Sequence, residues 1–187
     1  MKEIIVFDFD DTLYDGDSSI DFYIFCLKEN LLLIRYLPIQ VFGIILYKFR
    51  IKSKEFCKER FFSFLKGISN IDQVIERFWE KKAGKIKKEM LNNKVNIVVI
   101  SASPSFLLEP ICRKLNIEKV IATKVDKKTG RFLSKNCFAE EKVNRLNCEY
   151  SNYIIQEFYS DSKSDVYLAQ NSKKSFLVKK RNIIEWI

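Results

Sequence analysis

Four short segments, far apart in the chain, carry residue types that together can handle a phosphate group. They are Asp8-Phe9-Asp10-Asp11-Thr12-Leu13, Ser101-Ala102-Ser103-Pro104, Lys142 within Glu141-Lys142-Val143, and Asp161-Ser162-Lys163-Ser164-Asp165. A carboxylate is a competent nucleophile toward phosphorus, forming an aspartyl-phosphate. A second carboxylate nearby can protonate the leaving oxygen and later deprotonate a water. Asp8 and Asp10 supply such a pair. Thr12 suits loop hydrogen bonding, and Asp11 suits capping. Ser101, with the main-chain N–H groups of Ala102 and Ser103 ahead of a helix, offers an anion site. Lys142 can neutralise phosphate and nucleophile together. Clustered carboxylates need a cation, and oxygen-only ligands point to Mg2+. Asp161 supplies a carboxylate for it, and Asp165 can hold a metal-bound water or orient Lys142. Each segment alone has an ordinary explanation: an acidic loop, a helix cap, one basic residue among 33.

The elements around these segments explain why they should meet. Ile4 to Phe7, Val95 to Ile100 and Ile154 to Tyr159 are apolar runs of strand length, each ending at one of the segments. In open α/β sheets, ligands bind beyond the carboxyl ends of the strands. Lys119 to Val125 is a further strand, Asp126 to Gly130 a turn, and Arg131 to Leu133 a short return strand. Glu140 to Asn147 reads as a helix, Asp165 to Gln170 as a helical turn, Phe176 to Lys179 as a last strand. Pro104 fits the first turn of a helix capped by Ser103, and Pro110 should kink or shorten it. Alternation of this kind predicts an α/β class: a Rossmann-like, doubly wound, mainly parallel sheet.

Residues 18 to 88 break that alternation. Cys57, Phe61, Phe64, Leu65 and Ile68 share one helical face, as do Ile71, Val74, Ile75 and Phe78, a face that extends to Ile86 and Met90, with Gly67 between the two helices. This predicts an all-helical cap, residues 17–88, inserted into a core formed by 1–16 plus 89–187. Leu31 to Phe49 is apolar nearly all round, broken by Arg35, Pro38 and Gln40. A buried helix of the cap is the favoured reading; a helix lying on lipid with its basic end at the head groups is the alternative. Arg35 argues against a membrane span.

Composition limits the chemistry. With no histidine, Ser-His-Asp and Cys-His hydrolases are excluded. The 5 cysteines are scattered and odd in number, which favours reduced thiols and a cytoplasmic location. Met1 leads directly into a strand, so no signal peptide is read. Residues 18–90 hold 15 Lys and Arg against 8 Asp and Glu. The excess suits solvated helix faces, an anionic substrate, or peripheral contact with an anionic membrane at its inner face. No nucleic-acid-binding motif is present, and no nucleic-acid partner is expected.

All four segments, in this order, resemble the signature motifs of the haloacid dehalogenase superfamily of phosphohydrolases. The helical insertion after the first segment, and Asp126 to Leu146, resemble its phosphoserine-phosphatase-like branch (subfamily IB). Ser101-Ala102-Ser103-Pro104 and the long apolar cap resemble phosphatidylglycerophosphatase C-like members. The resemblance implies Asp8 as nucleophile and Mg2+ ligand, and Asp10 as general acid/base giving a main-chain carbonyl to the metal. It implies Asp161 as third protein ligand, Ser101 and Lys142 as holders of the phosphoryl group, and Asp165 as their support. Asp17 falls where phosphoserine phosphatases carry an acidic substrate-recognition residue. Ser160 and Ser162 replace the usual glycines of the fourth motif, which argues against phosphoserine itself. The substrate implied is a small organic phosphate or a lipid phosphate. A phosphotransferase, or a non-catalytic module binding an anionic membrane, is the rival expectation.

Overall fold

The computed structural model describes residues 1–180 and 182–186. Six strands form one sheet: β1 (Lys2–Phe7), β2 (Ile97–Pro104), β3 (Lys119–Thr123), β4 (Tyr153–Ser160), β5 (Ser172–Lys179) and β6 (Asn182–Glu185). Their order is β3-β2-β1-β4-β5-β6. All neighbours pair in parallel except β5 and β6. The strand side chains alternate between two apolar clusters. Ile4, Val6, Val98 and Ile100 face one, and Phe7, Ile97 and Val99 face the other. A parallel sheet needs both faces covered. The first face meets α6 (Glu140–Glu149) and α7 (Val166–Gln170) through Leu146 and Leu168. The second meets α5 (Ser105–Lys114) and the helices inserted between β1 and β2.

Those inserted helices are α1 (Ser18–Glu29), α2 (Leu37–Lys48), α3 (Lys54–Phe61) and α4 (Ile71–Lys82), joined by 3-10 turns. Among the described residues 18–91 no extended strand occurs. In α4 the buried residues Ile71, Ile75, Phe78 and Trp79 make one stripe, as a helix packed on a core requires. Each such side chain contributes about 1.5–3 kcal/mol through burial. The Trp79 indole N–H donates to the Leu107 carbonyl at 2.7 Å, so the helical block is pinned to α5. Gly43 lets α2 approach α3: a Cβ there would stand 2.7 Å from Arg60 Cβ. Two connectors cross between block and sheet. They meet where Tyr14 bridges Ile86, with Asp15 N–H donating to Lys85 O and Lys87 N–H to Leu13 O.

Several expectations are corrected here. Val95 is exposed and precedes β2, which instead runs on through Ser101 to Pro104. Pro104 is therefore extended, α5 begins at Ser105, and Ser103 caps nothing. The α5 helix continues past Pro110 to Lys114. The face from Cys57 to Ile68 is split between α3 and a 3-10 turn at Phe62–Gly67. Ile86 and Met90 are buried but lie beyond the end of α4. The return strand at Arg131 to Leu133 is reduced to a bridge between Val125 and Phe132. The largest departure is Leu31 to Phe49. It forms a 3-10 turn (Leu31–Tyr36) followed by α2, and within Leu31–Lys48 only Leu33, Gln40 and Gly43 are buried. Pro38 stands in the first turn of α2, where its missing N–H costs no intrahelical bond.

Candidate active site

β1 ends at Phe7, and the chain turns sharply over the sheet edge. Asp8 N–H donates to the Tyr159 carbonyl of β4 at 2.8 Å. The turn closes through Asp11 N–H to Gly16 O at 2.9 Å, with Asp11 at φ 54° and Gly16 at φ 114°. Only residues tolerant of positive φ serve there, and Asp and Gly are among them. Asp11 thus shapes the turn and lines the cavity; no side-chain cap is seen for it. Thr12 Oγ1 accepts from Asp161 N–H at 2.9 Å, which ties the β1 loop to the β4 loop.

Lys142, on α6, is 2% exposed and stands between two carboxylates. Its Nζ lies 3.0 Å from Asp8 Oδ1 and 2.6 Å from Asp165 Oδ2. Burial works against its charge, but Asp8 and Asp165 outweigh that and hold its pKa above the usual lysine value. Asp165 is also held by the Ser160 hydroxyl at 2.8 Å, so the serine of the fourth motif has a definite task. Asp165 makes no side-chain cap to α7; it serves Lys142 instead. Its Oδ1 is buried without a hydrogen-bond partner among the described residues.

Asp8 is buried, and burial pushes its carboxyl up to about 7; Lys142 opposes this, while Asp165 and Asp10 reinforce it. Asp10 sits across the cavity. Its Oδ1 accepts from Ser18 N–H at 2.7 Å and its Oδ2 from the Ser103 hydroxyl. Burial, with Asp17 adding to it, raises the Asp10 carboxyl to about 6, against the pull of those hydrogen bonds. A carboxyl near that value can both give and take a proton around neutral pH. Asp17 does cap: its Oδ1 accepts from Ile20 N–H at 2.9 Å at the start of α1. It reaches the rim of the cavity from that position.

Asp161 is raised by burial and by Asp11, and it lines the same cavity as Asp8. Two carboxyls on one cavity, each driven toward its neutral form, would be relieved by a cation. No group of three or more Asp, Glu, Cys or His side chains closes around an ion among the described residues. A two-carboxylate set of oxygen ligands, completed by a carbonyl and by water, fits Mg2+, which keeps several waters.

These residues line a cavity of about 510 Å³, within the range of small-molecule sites. Asp8, Asp10, Ser101, Ala102, Lys142, Asp161 and Asp165 occupy its floor; Ile20, Ile44, Phe61, Phe62 and Phe138 form an apolar wall; Lys54 and Lys58 stand beside it. Ser101, 1% exposed, accepts from Ser103 N–H at 3.1 Å. The four sequence segments therefore converge, as their strand-end positions require. Ser103 was expected there through its main-chain N–H alone, not its side chain, and Ser19, Lys58 and Phe138 were not expected at the site. A second hydroxyl two positions after Ser101 was the available signal for Ser103. Nothing local marked the others.

The model of the haloacid dehalogenase-like hydrolases matches residues 5–170. The chain belongs to that family. Solved structures agree in fold with this haloacid dehalogenase-like hydrolase. A protein of unknown function from Bordetella pertussis is 21% identical, covering 94% of this chain and 89% of its own, with a TM-score of 0.78. A phosphoserine phosphohydrolase-like protein from Francisella tularensis is 21% identical, covering 94% and 86%, at 0.55. A phosphoserine phosphatase in apo form is 18% identical, covering 94% and 85%, at 0.53. No curated protein matches the sequence. The mostly parallel six-stranded sheet with its flanking helices is thus the Rossmann-like fold of that family.

Proposed function

We propose that this hydrolase cleaves phosphomonoesters through an aspartyl-phosphate on Asp8. The observation that carries the reading is the Lys142 ammonium held between Asp8 and Asp165, beyond the ends of β1 and β4. Phosphoryl transfer is mainly positioning and charge neutralisation, and this arrangement supplies both. The Asp8 carboxylate attacks phosphorus as the ester oxygen leaves; Asp10 protonates that oxygen. Asp10 then takes a proton from water, which attacks the acyl-phosphate and frees inorganic phosphate and Asp8. Ser101 and the Ala102 main-chain N–H, with Lys142, would hold the phosphoryl oxygens, while the Ser103 N–H is engaged by Ser101 Oγ. Asp8, Asp161 and the main-chain carbonyl of Asp10 would hold Mg2+, which when bound neutralises charge between nucleophile and phosphate. The likeness in fold to phosphoserine phosphatases supports a phosphorylated small molecule as substrate. A screen of lipid, sugar, amino-acid and nucleotide phosphates, with Asp8→Asn as control, tests the reading. Phosphate release from none of them, or equal release by the variant, would refute it. An added alcohol that accepts the phosphoryl group in place of water would identify a phosphotransferase.

One observation favours a lipid phosphate among the substrates. Ile44 of α2 lines the cavity, while Leu37, Val41, Phe42 and Ile45 of the same helix are exposed, and Leu31 and Phe49 flanking them are about three-quarters exposed. Lys48, Arg50, Lys52 and Lys54 follow directly. Apolar surface next to basic residues suits the boundary of an anionic bilayer. Sedimentation with anionic vesicles at low salt tests this reading. Protein left in the supernatant would refute it, and would also dispose of the rival in which the chain is a non-catalytic membrane module.

A further inference from the structure

Helix α3 meets the core through three side chains on one face. Glu59 Oε1 accepts from Phe132 N–H at 2.8 Å, and Glu55 Oε1 accepts from Asn136 N–H at 3.0 Å. Lys58 lies between them, as positions three and four apart on a helix must. Its Nζ donates to Asn136 Oδ1 at 3.1 Å and to the Ala102 carbonyl at 3.0 Å. No carboxylate lies within ion-pair distance of it among the described residues. Burial, with Lys54 beside it, lowers its pKa to about 8. A lysine so desolvated and so placed is costly as mere packing.

The Ala102 carbonyl is the consequential contact. The hydroxyl of Thr123 reaches the same oxygen at 3.1 Å, and Asn136 Oδ1 at 3.3 Å. The other end of that peptide plane is the Ser103 N–H, which donates to Ser101 Oγ. The Ser103 side chain in turn donates to Asp10. One peptide unit therefore orients the hydroxyl facing the phosphoryl site and the hydroxyl facing the acid/base. The inserted helices reach that unit through Lys58.

We infer that Lys58 is a positioning residue: when α3 is seated on residues 132–136, its ammonium fixes the Ala102–Ser103 peptide and so completes the site around Ser101 and Asp10. The inference rests on the phosphatase reading for its kinetic consequence but not for its structural one. Seating of the helical block and geometry of the phosphate loop are then one event. Substrate bound with α3 unseated meets a loop with a free peptide.

Two measurements on Lys58→Met test it. In steady-state hydrolysis of an aryl phosphate with Mg2+, kcat should fall roughly 30-fold with KM nearly unchanged, since a misplaced loop costs rate more than binding. Introduced into Ser103→Ala, the same change should cost less than about threefold, because both act through one peptide and its hydroxyl. Full additivity would overturn the inference. Independently of any activity, amide hydrogen exchange at Ser103 should quicken by about tenfold or more in Lys58→Met, with the β1 amides unchanged. Unchanged exchange at Ser103 would overturn it. This second measurement decides the matter even if the wild-type chain proves to hydrolyse no phosphomonoester. Should Lys58→Met not fold, Glu55→Gln with Glu59→Gln loosens α3 without touching the phosphate loop. It should give the same exchange signature, and wild-type exchange there would equally overturn the inference.

Discussion

The Ser103 hydroxyl donates to Asp10 Oδ2 across 93 positions of sequence. The bond joins the end of β2 to the loop after β1, and Ser19 Oγ lies 3.0 Å from the same hydroxyl. It stabilises the ionised form of a carboxyl that burial otherwise drives upward. Ser103→Ala should lower kcat about tenfold, since a hydrogen bond of this kind is worth about 1–1.5 kcal/mol. Steady-state kinetics on an aryl phosphate would check it. A variant at wild-type rate would remove Ser103 from the acid/base system.

Asp8→Asn removes the proposed nucleophile while leaving a group of the same size. Turnover should fall by about a thousandfold or more. Asp10→Asn should differ in kind. Where it slows hydrolysis of the acyl-phosphate more than its formation, phosphorylated protein accumulates, detectable by intact-mass measurement after acid quench. Wild-type turnover by Asp8→Asn would rule out the aspartyl-phosphate route.

Lys142→Met should destabilise the fold as well as the site. Asp165 is 1% exposed, and the change would strand it and Asp8 without their cation. Breaking a buried ion pair from one side costs about 3–5 kcal/mol. Urea denaturation at neutral pH would measure the loss. A midpoint equal to wild type would mean that water replaces the ammonium at no cost.

Asp21 reports on the connectors between sheet and helical block. Burial raises its carboxyl, but hydrogen bonds from Lys85 at 2.6 Å and Tyr14 at 2.5 Å outweigh this and lower it. A carboxyl depressed in the folded state stabilises fully above its unfolded value of about 4. That contribution fades as pH falls through the folded value. Asp21→Asn should therefore lower the melting temperature at pH 7 by about 2–4 °C, for about 1 kcal/mol. The gap to wild type should close as pH falls below the unfolded value and through the folded one. A constant gap across that range in calorimetry would contradict the assignment.

A chelator should abolish hydrolysis and Mg2+ should restore it. Asp161→Asn should raise the Mg2+ concentration needed for half-maximal rate by about tenfold or more. Metal-independent turnover would sink the ligand assignment of Asp161.

Much of this site was legible before any fold was seen. Apolar runs ending in Asp8, Ser101 and Asp161 place polar groups at strand ends, because a parallel strand buried on both faces admits few polar residues until it leaves the sheet. Lys142 and Asp165 became meaningful once those three were set side by side. The register of the second strand was not legible. Pro104 has two local uses, as the first residue of a helix or the last of an edge-like extension, and pairing with Thr123 selected the second. That choice turned Ser103 from a helix cap into a partner of Asp10.

The apolar stretch at Leu31 to Phe49 was misjudged for a related reason. Hydrophobicity states what a segment would bury, not whether a surface exists to bury it. Here α3 and the neighbouring 3-10 turns cover only a narrow strip of α2, and the rest faces outward. The sequence by itself determined the strand ends, the nucleophile candidates and the alternation that makes the sheet, since these depend on local pattern. The grip of Lys58 on the Ala102 carbonyl depends on α3 meeting the end of β2 and the loop at Asn136, 44 and 78 residues away. Only tertiary packing sets such distances, because no local pattern encodes which distant oxygen an ammonium will find.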